Sequence, residues 1–108
     1  MRITIEATGF DVTPTIKAYI EKKIGSLARL LKRFEAAGEL TALVEVGRTT
    51  RHHKHGDVFR AALNLDLPGK VIRAESENED LRTAVDEVKN RIKDDIEKYK
   101  DKLAKHRP

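Results

Sequence analysis

Phe59-Arg60-Ala61-Ala62-Leu63-Asn64-Leu65-Asp66-Leu67-Pro68-Gly69-Lys70-Val71-Ile72-Arg73-Ala74 carries the pattern that decides the fold. Phe59, Ala61, Leu63, Leu65 and Leu67 recur at every second residue, which aligns them on one face of a strand. Leu67-Pro68-Gly69-Lys70 reads as a tight turn, because Pro pre-sets φ at one central position and Gly accepts positive φ at the next. Ile72 and Ala74 then return on the inner face of a second arm, so residues 58–76 form a hairpin. Upstream, Ala42, Val44 and Val46 alternate in the same way. So do Met1, Ile3, Ile5 and Ala7, set against Arg2, Thr4 and Glu6, which predicts four strands in all.

Between the first two strands the period changes to that of a helix. Thr13-Pro14 is a helix start, with Thr as the cap and Pro in the first turn. Ile16, Ile20, Ile24, Leu27, Leu31 and Phe34 follow at helical spacing, and Gly38 stops the helix. After the hairpin, Leu81, Ala84, Val85, Val88, Ile92, Ile96, Tyr99 and Leu103 mark one stripe of a helix from about Glu79 to Leu103. The order β-α-β-β-β-α describes an α+β domain, a four-stranded sheet with two helices packed on a single face.

The 108 residues suffice for one domain with a core and are too few for two. The expectation is a single domain over 1–108, folded over about 1–104, with a short basic tail at 105–108. With no cysteine, a disulfide framework, a thiolate nucleophile and a Cys-based zinc site are all excluded. Met1–Phe10 lacks the apolar stretch of a signal peptide, and no run approaches the roughly 18 apolar residues of a membrane span. The chain reads as cytoplasmic, with no membrane, cofactor or small-molecule substrate expected.

The net charge of +4 favours polyanions only mildly, and its placement says more. Residues 14–36 hold six bases against two acids. At ~100° per residue, Lys22, Arg29 and Arg33 fall opposite the apolar seam, with Lys32 beside them and Lys17 and Lys23 on its flanks. A row of cations without carboxylates suits phosphates, whose neutralisation releases condensed counterions. It also suits a solvated surface that merely keeps a protein soluble.

Residues 77–108 carry nine charges of each sign, unevenly placed. Arg91, Lys98, Lys102 and Lys105 line one flank of the seam and Arg82, Lys89, Lys93 and Lys100 the other. Asp86, Asp94, Glu97 and Asp101 gather on the far ridge. One basic flank could join the first helix in a common face; ordinary i,i+4 ion pairs would give the same pattern.

Arg48-Thr-Thr-Arg51-His52-His53-Lys54-His55-Gly56-Asp57 links two strands. Three His in four positions raise a metal site, but without Cys, Glu or ordering partners a basic loop tip is the better reading. Arg48, Arg51, His52, His53, Lys54 and His55 are candidate RNA contacts, or an exposed turn with no role. Catalysis finds little support: no nucleophile elbow, Gly-rich phosphate loop or HExxH occurs. Asp94 and Asp95 are adjacent on a helix and point apart. Asp95 falls on the apolar stripe, where bonding to a neighbouring strand or loop is expected. Phe59 shares the parity of the buried leucines, which argues against an open sheet face that stacks bases.

Asp11-Val-Thr13-Pro14-Thr-Ile16-Lys17-Ala-Tyr19-Ile20-Glu-Lys22-Lys23, Glu79-Asp80-Leu81-Arg82-Thr-Ala84-Val85-Asp86 and Tyr99-Lys100-Asp101-Lys102-Leu103 together resemble the ribosome hibernation promoting factor family. Its members are also called ribosome-associated translation inhibitors or ribosomal subunit interface proteins. Residues 80–86 look like that family's Asp-Met-Tyr-Ala-Ala-Ile-Asp box, with Arg82 in place of Tyr. The resemblance covers essentially the whole chain.

It implies a fold similar to double-stranded-RNA-binding domains, seated between the head and body of the small ribosomal subunit. There the protein would bind ribosomal RNA, block the mRNA and tRNA paths sterically and stabilise inactive ribosomes, without acting as an enzyme. By position, Lys17, Lys23, Arg29 and Arg91 match basic residues of the family, whereas Asp94 stands where a base is usual and Asp95 where Gln is. Either the RNA contact then shifts to Arg82, Lys93 and Lys98, or the second helix contributes less in this member. Ending at Pro108, the chain resembles the short form, with no C-terminal dimerisation domain expected. A general duplex-RNA-binding module and a protein-docking adaptor are the alternatives.

Overall fold

The computed structural model describes residues 1–50 and 57–105. Strand β1 (Arg2–Thr8) leads through helix α1 (Pro14–Gly25), a 3-10 turn (Ser26–Leu30) and the short helix α2 (Lys32–Glu35) to β2 (Thr41–Thr50). Strands β3 (Asp57–Leu67) and β4 (Lys70–Asn78) follow, and helix α3 (Leu81–Lys105) closes the fold. The sheet order is β1-β2-β3-β4, with β1 and β2 parallel and the other pairs antiparallel. Because α1 crosses between β1 and β2, the sheet is mixed.

Register turns the alternation of each strand into rows across the sheet. Ile3, Ala42, Leu65 and Ile72 form one row; Ile5, Val44, Leu63 and Ala74 form the next. Both rows lie on the face covered by the helices, and the β2, β3 and β4 members are buried there with Ile20, Ile24, Leu27, Leu31, Phe34, Ile92 and Ile96. Phe59 follows the same parity but is only half-buried, meeting Phe10 edge-on with ring centroids 5.7 Å apart.

Helix ends follow local chemistry. Thr13 Oγ1 accepts a hydrogen bond from the Ile16 amide at 3.2 Å, with Pro14 in the first turn. Asp80 Oδ2 accepts from the amide and hydroxyl of Thr83, capping α3. The Thr83 hydroxyl is the main reason that the Asp80 carboxyl sits below its usual range.

The first helix departs from expectation, since the α-helical winding stops at Gly25 instead of running to Gly38. Gly25 contributes little helix propensity, and the Ser26 hydroxyl donates to the Lys23 carbonyl at 2.6 Å. The tighter 3-10 winding still keeps Leu27, Leu31 and Phe34 in the core. A constant 100° step therefore does not hold beyond Gly25, so Arg29 and Arg33 are not rigidly in line with Lys22. The α3 stripe also ends early, with Tyr99 half-buried and Leu103 exposed.

Two glycines test this account. Gly9 takes φ of +84°, and a Cβ there would lie 2.8 Å from the Arg48 carbonyl oxygen. Gly9→Ala should therefore cost roughly 1–3 kcal/mol in urea unfolding. Gly25 has helical backbone and open space around a built Cβ. Gly25→Ala should stabilise by about 0.4–1 kcal/mol, and a loss instead would show that the break needs glycine.

Candidate nucleic-acid interface

Helices α1 and α3 run side by side in the same direction, and three contacts mark the valley between them. At one end the Tyr19 hydroxyl donates to Asp86 Oδ1 at 2.8 Å. Further along, Lys100 Nζ donates to the Leu30 carbonyl at 3.1 Å, satisfying the end of the 3-10 turn. Beside it, Phe34 and Tyr99 stack with centroids 5.8 Å apart. Asp86 and Lys100 are fourteen residues apart, so at 1.5 Å rise per residue the valley is about 21 Å long.

The Tyr19 end is the most ordered part of the site. Lys23 Nζ lies 5.5 Å from the Tyr19 ring centroid and 3.7 Å from Asp86 Oδ1. The Arg82 guanidinium lies 5.4 Å from the same ring. One tyrosine thus positions a cation from each helix through its π face, a geometry that attracts both charges. Burial, then the hydrogen bond and charge of Asp86, hold the Tyr19 phenol above its usual range. Lys89 and Lys93 follow one and two turns further along the same flank of α3, each half-buried. Lys22, Arg29 and Lys32 are exposed on the α1 side, and Arg33 lies over the Phe34 ring at 5.0 Å. Among the described residues, Lys22, Arg29, Lys32, Lys89 and Lys93 have no carboxylate within ion-pair distance.

Other predicted residues lie elsewhere. Lys17 pairs with Glu21 at 3.8 Å on the β1 side of α1, away from α3. Arg91 donates to the Glu75 carbonyl on the outer edge of β4, and Lys98 and Lys102 line a groove against the same strand. The helix cations therefore do not form one patch: the body of α3 separates two basic flanks. Asp94, Glu97 and Asp101 occupy its exposed outer ridge. Asp95 is half-buried, but no strand or loop group within hydrogen-bonding distance satisfies it among the described residues, contrary to expectation. Arg48 is exposed on β2, whereas Arg51, His52, His53, Lys54 and His55 fall outside the described residues.

The open face of the sheet is a self-paired charge ladder. Arg60 bonds Glu75, while Arg73 reaches Asn64 at 2.8 Å, Glu45 at 3.5 Å and Glu75 at 3.6 Å. The Arg60 guanidinium is the main reason that the Glu75 carboxyl lies below its usual range. Cations so committed leave little for phosphates. Sequence reasoning missed Tyr19 and Asp86 as partners: it set Asp86 on the far ridge of the second helix, whereas the acid faces Tyr19 and Lys23 across the valley.

The family model described as Sigma 54 modulation protein / S30EA ribosomal protein matches residues 3–104. The chain belongs to this family. Curated relatives named ribosome hibernation promotion factor include one from Lactococcus lactis subsp. cremoris, 31% identical over 105 residues. That match covers 95% of this chain and 51% of the relative. Another, from Bacillus subtilis, is 28% identical over 103 residues, covering 95% and 50%. The chain spans about half the length of these curated relatives. The crystal structure of the Thermus thermophilus Protein Y N-terminal domain matches with a TM-score of 0.71 and 31% identity, covering 92% of this chain and 99% of that one. A ribosomal subunit interface protein from Coxiella burnetii, at 22% identity, shares the fold with a TM-score of 0.70. The four-stranded sheet with its helices is thus the architecture of the family.

Tyr19→Phe isolates the link between the helices. It should cost about 0.5–1.5 kcal/mol at neutral pH, the usual net worth of one hydrogen bond. A raised phenol pKa stabilises the fold fully below the ordinary phenol range and loses that contribution as pH rises through the folded value. Urea unfolding across neutral to alkaline pH should show wild-type stability falling more steeply than that of Tyr19→Phe. Parallel curves would refute the coupling.

Proposed function

We propose that this chain binds ribosomal RNA of the small subunit through the α1–α3 valley and inhibits translation by occupying the mRNA and tRNA paths. The observation that carries this reading is the Lys23–Tyr19–Arg82 group at one end of the valley, followed along α3 by Lys89 and Lys93 without carboxylate partners among the described residues, with Lys22, Arg29 and Lys32 exposed and likewise unpaired on the neighbouring α1 side. Family membership and the names of the relatives support a role in ribosome hibernation. The chemistry is non-covalent: phosphates exchange condensed counterions for fixed ammonium and guanidinium groups. The acidic ridge of α3 favours an RNA strand seated on the α1 side over one lying flat across both helices. Contact through Lys17, Arg91, Lys98 and Lys102 is then secondary.

Co-sedimentation with purified small subunits tests this. For roughly four neutralised phosphates, log affinity against log salt should fall with a slope of about −3. The triple variant Lys23→Glu/Lys89→Glu/Lys93→Glu should lose binding with helix content intact, while Lys98→Glu/Lys102→Glu should retain most of it. Unchanged binding by the triple variant would refute the valley. Equal competition by a plain RNA duplex would point to the general duplex-binding alternative.

A further inference from the structure

The β4 edge presents a second, chemically different surface. Strand β4 is last in the sheet order, so among the described residues one side of its backbone has no neighbouring strand. Antiparallel pairing alternates residues that bond across the ladder with residues whose amide and carbonyl both point away from it. Two observations fix the phase. The hairpin turn Pro68-Gly69 closes at the Leu67–Lys70 pair, and Arg91 reaches the Glu75 carbonyl from outside the sheet. Lys70, Ile72 and Ala74 therefore bond to β3, while Val71 and Arg73 direct their N–H and C=O groups outward. Arg91 covers the next outward position, Glu75.

Beside those free groups runs a groove of about 540 Å³ between β4 and the C-terminal half of α3. Its walls include Lys70, Asp95, Lys98, Tyr99 and Lys102. Among the described residues, none of the three lysines has a carboxylate partner. The Tyr99 hydroxyl lies 3.4 Å from the Pro68 carbonyl and fixes the floor near the turn. Val71, 62% exposed, adds an apolar side chain on the outer face of the same edge.

We propose that this groove takes an acidic segment of a protein partner, added to β4 in extended conformation as a fifth strand. Outward donor–acceptor pairs two residues apart match the repeat of an extended peptide, which is how strand addition recognises its ligand. A nucleic acid offers no such repeat. The three lysines select acidic side chains, Val71 packs against an apolar neighbour across the new pair, and Arg91 ends the open stretch. This surface does not depend on the RNA reading, since it uses the opposite flank of α3. The competing explanation is that the lysines and Arg91 only guard an edge against self-association.

The test uses the full chain and a fluorescein-labelled hexapeptide alternating Glu and Val. Anisotropy should show binding, and amide NMR should show shifts and slowed hydrogen exchange at Val71 and Arg73. The same peptide with alternate amides N-methylated, and a Lys-Val analogue, should bind much more weakly. Lys98→Glu/Lys102→Glu should weaken binding about tenfold, the scale of two partly screened charge contacts. Val71→Pro removes the outward amide together with the Val71 side chain, at an edge position where proline is tolerated, and should abolish binding without changing the circular dichroism spectrum, whereas Val71→Ala, which keeps the amide, should only weaken it. The proposal is overturned if the N-methylated peptide binds equally well, if the shifts fall in the α1–α3 valley, or if a short oligouridine displaces the peptide from β4. Absence of binding at millimolar peptide would likewise overturn it, leaving edge protection as the role of these charges.

Discussion

Burial fixes the rotation of α3 about its own axis, and the character of each surface follows from that one constraint. Ile92 and Ile96 are fully buried, with Val85 and Val88 alongside them, against rows of apolar side chains that run across the sheet. Removing each such side chain from water is worth roughly 1.5–3 kcal/mol, far more than any single surface ion pair. The charged positions have no choice but to fall where the remaining angles put them. Arg82, Lys89, Lys93 and Lys100 turn toward α1, and Arg91, Lys98 and Lys102 turn toward β4; Asp94, Glu97 and Asp101 are left on the outer ridge, while Asp86 meets Tyr19 in the valley and Asp95 lines the β4 groove.

Within the valley, the arrangement of charge depends on Tyr19 more than on any basic residue. Its hydroxyl engages Asp86 and its ring lies near both Lys23 and Arg82. A carboxylate in a cation-rich site would ordinarily weaken anion binding. Here Asp86 holds the tyrosine in place, and the net charge of the group stays positive. The 3-10 turn after Gly25 brings the Leu30 carbonyl to Lys100, so the far end of the valley is closed by a hydrogen bond between the same two segments.

The sheet divides its surface differently. On the open face, Arg60 and Arg73 are matched to Glu75, Glu45 and Asn64, so local charges cancel. At the β4 edge positive charge is in excess: among the described residues Asp95 lines the groove with Lys70, Lys98 and Lys102 but makes no ion pair with them. Backbone groups and unpaired ammonium groups meet there, a combination that suits a peptide better than RNA. One helix thus carries two basic flanks set in different surroundings.

The sequence by itself determined the elements and their inner faces, because period-two and helical apolar spacing follow directly from backbone geometry. Phe59 to Leu67, the Pro68-Gly69 turn and the Thr13 cap were all legible for that reason. It also determined that cations cluster on the helices. Only the tertiary structure decided which of them share a surface. Lys23 and Arg82, or Arg91 and Glu75, are far apart along the chain, and their meeting depends on how two helices rotate and pack. The break at Gly25 was hidden because a 3-10 turn keeps the same side chains buried, so the apolar pattern hardly changes while the directions of Arg29 and Arg33 do.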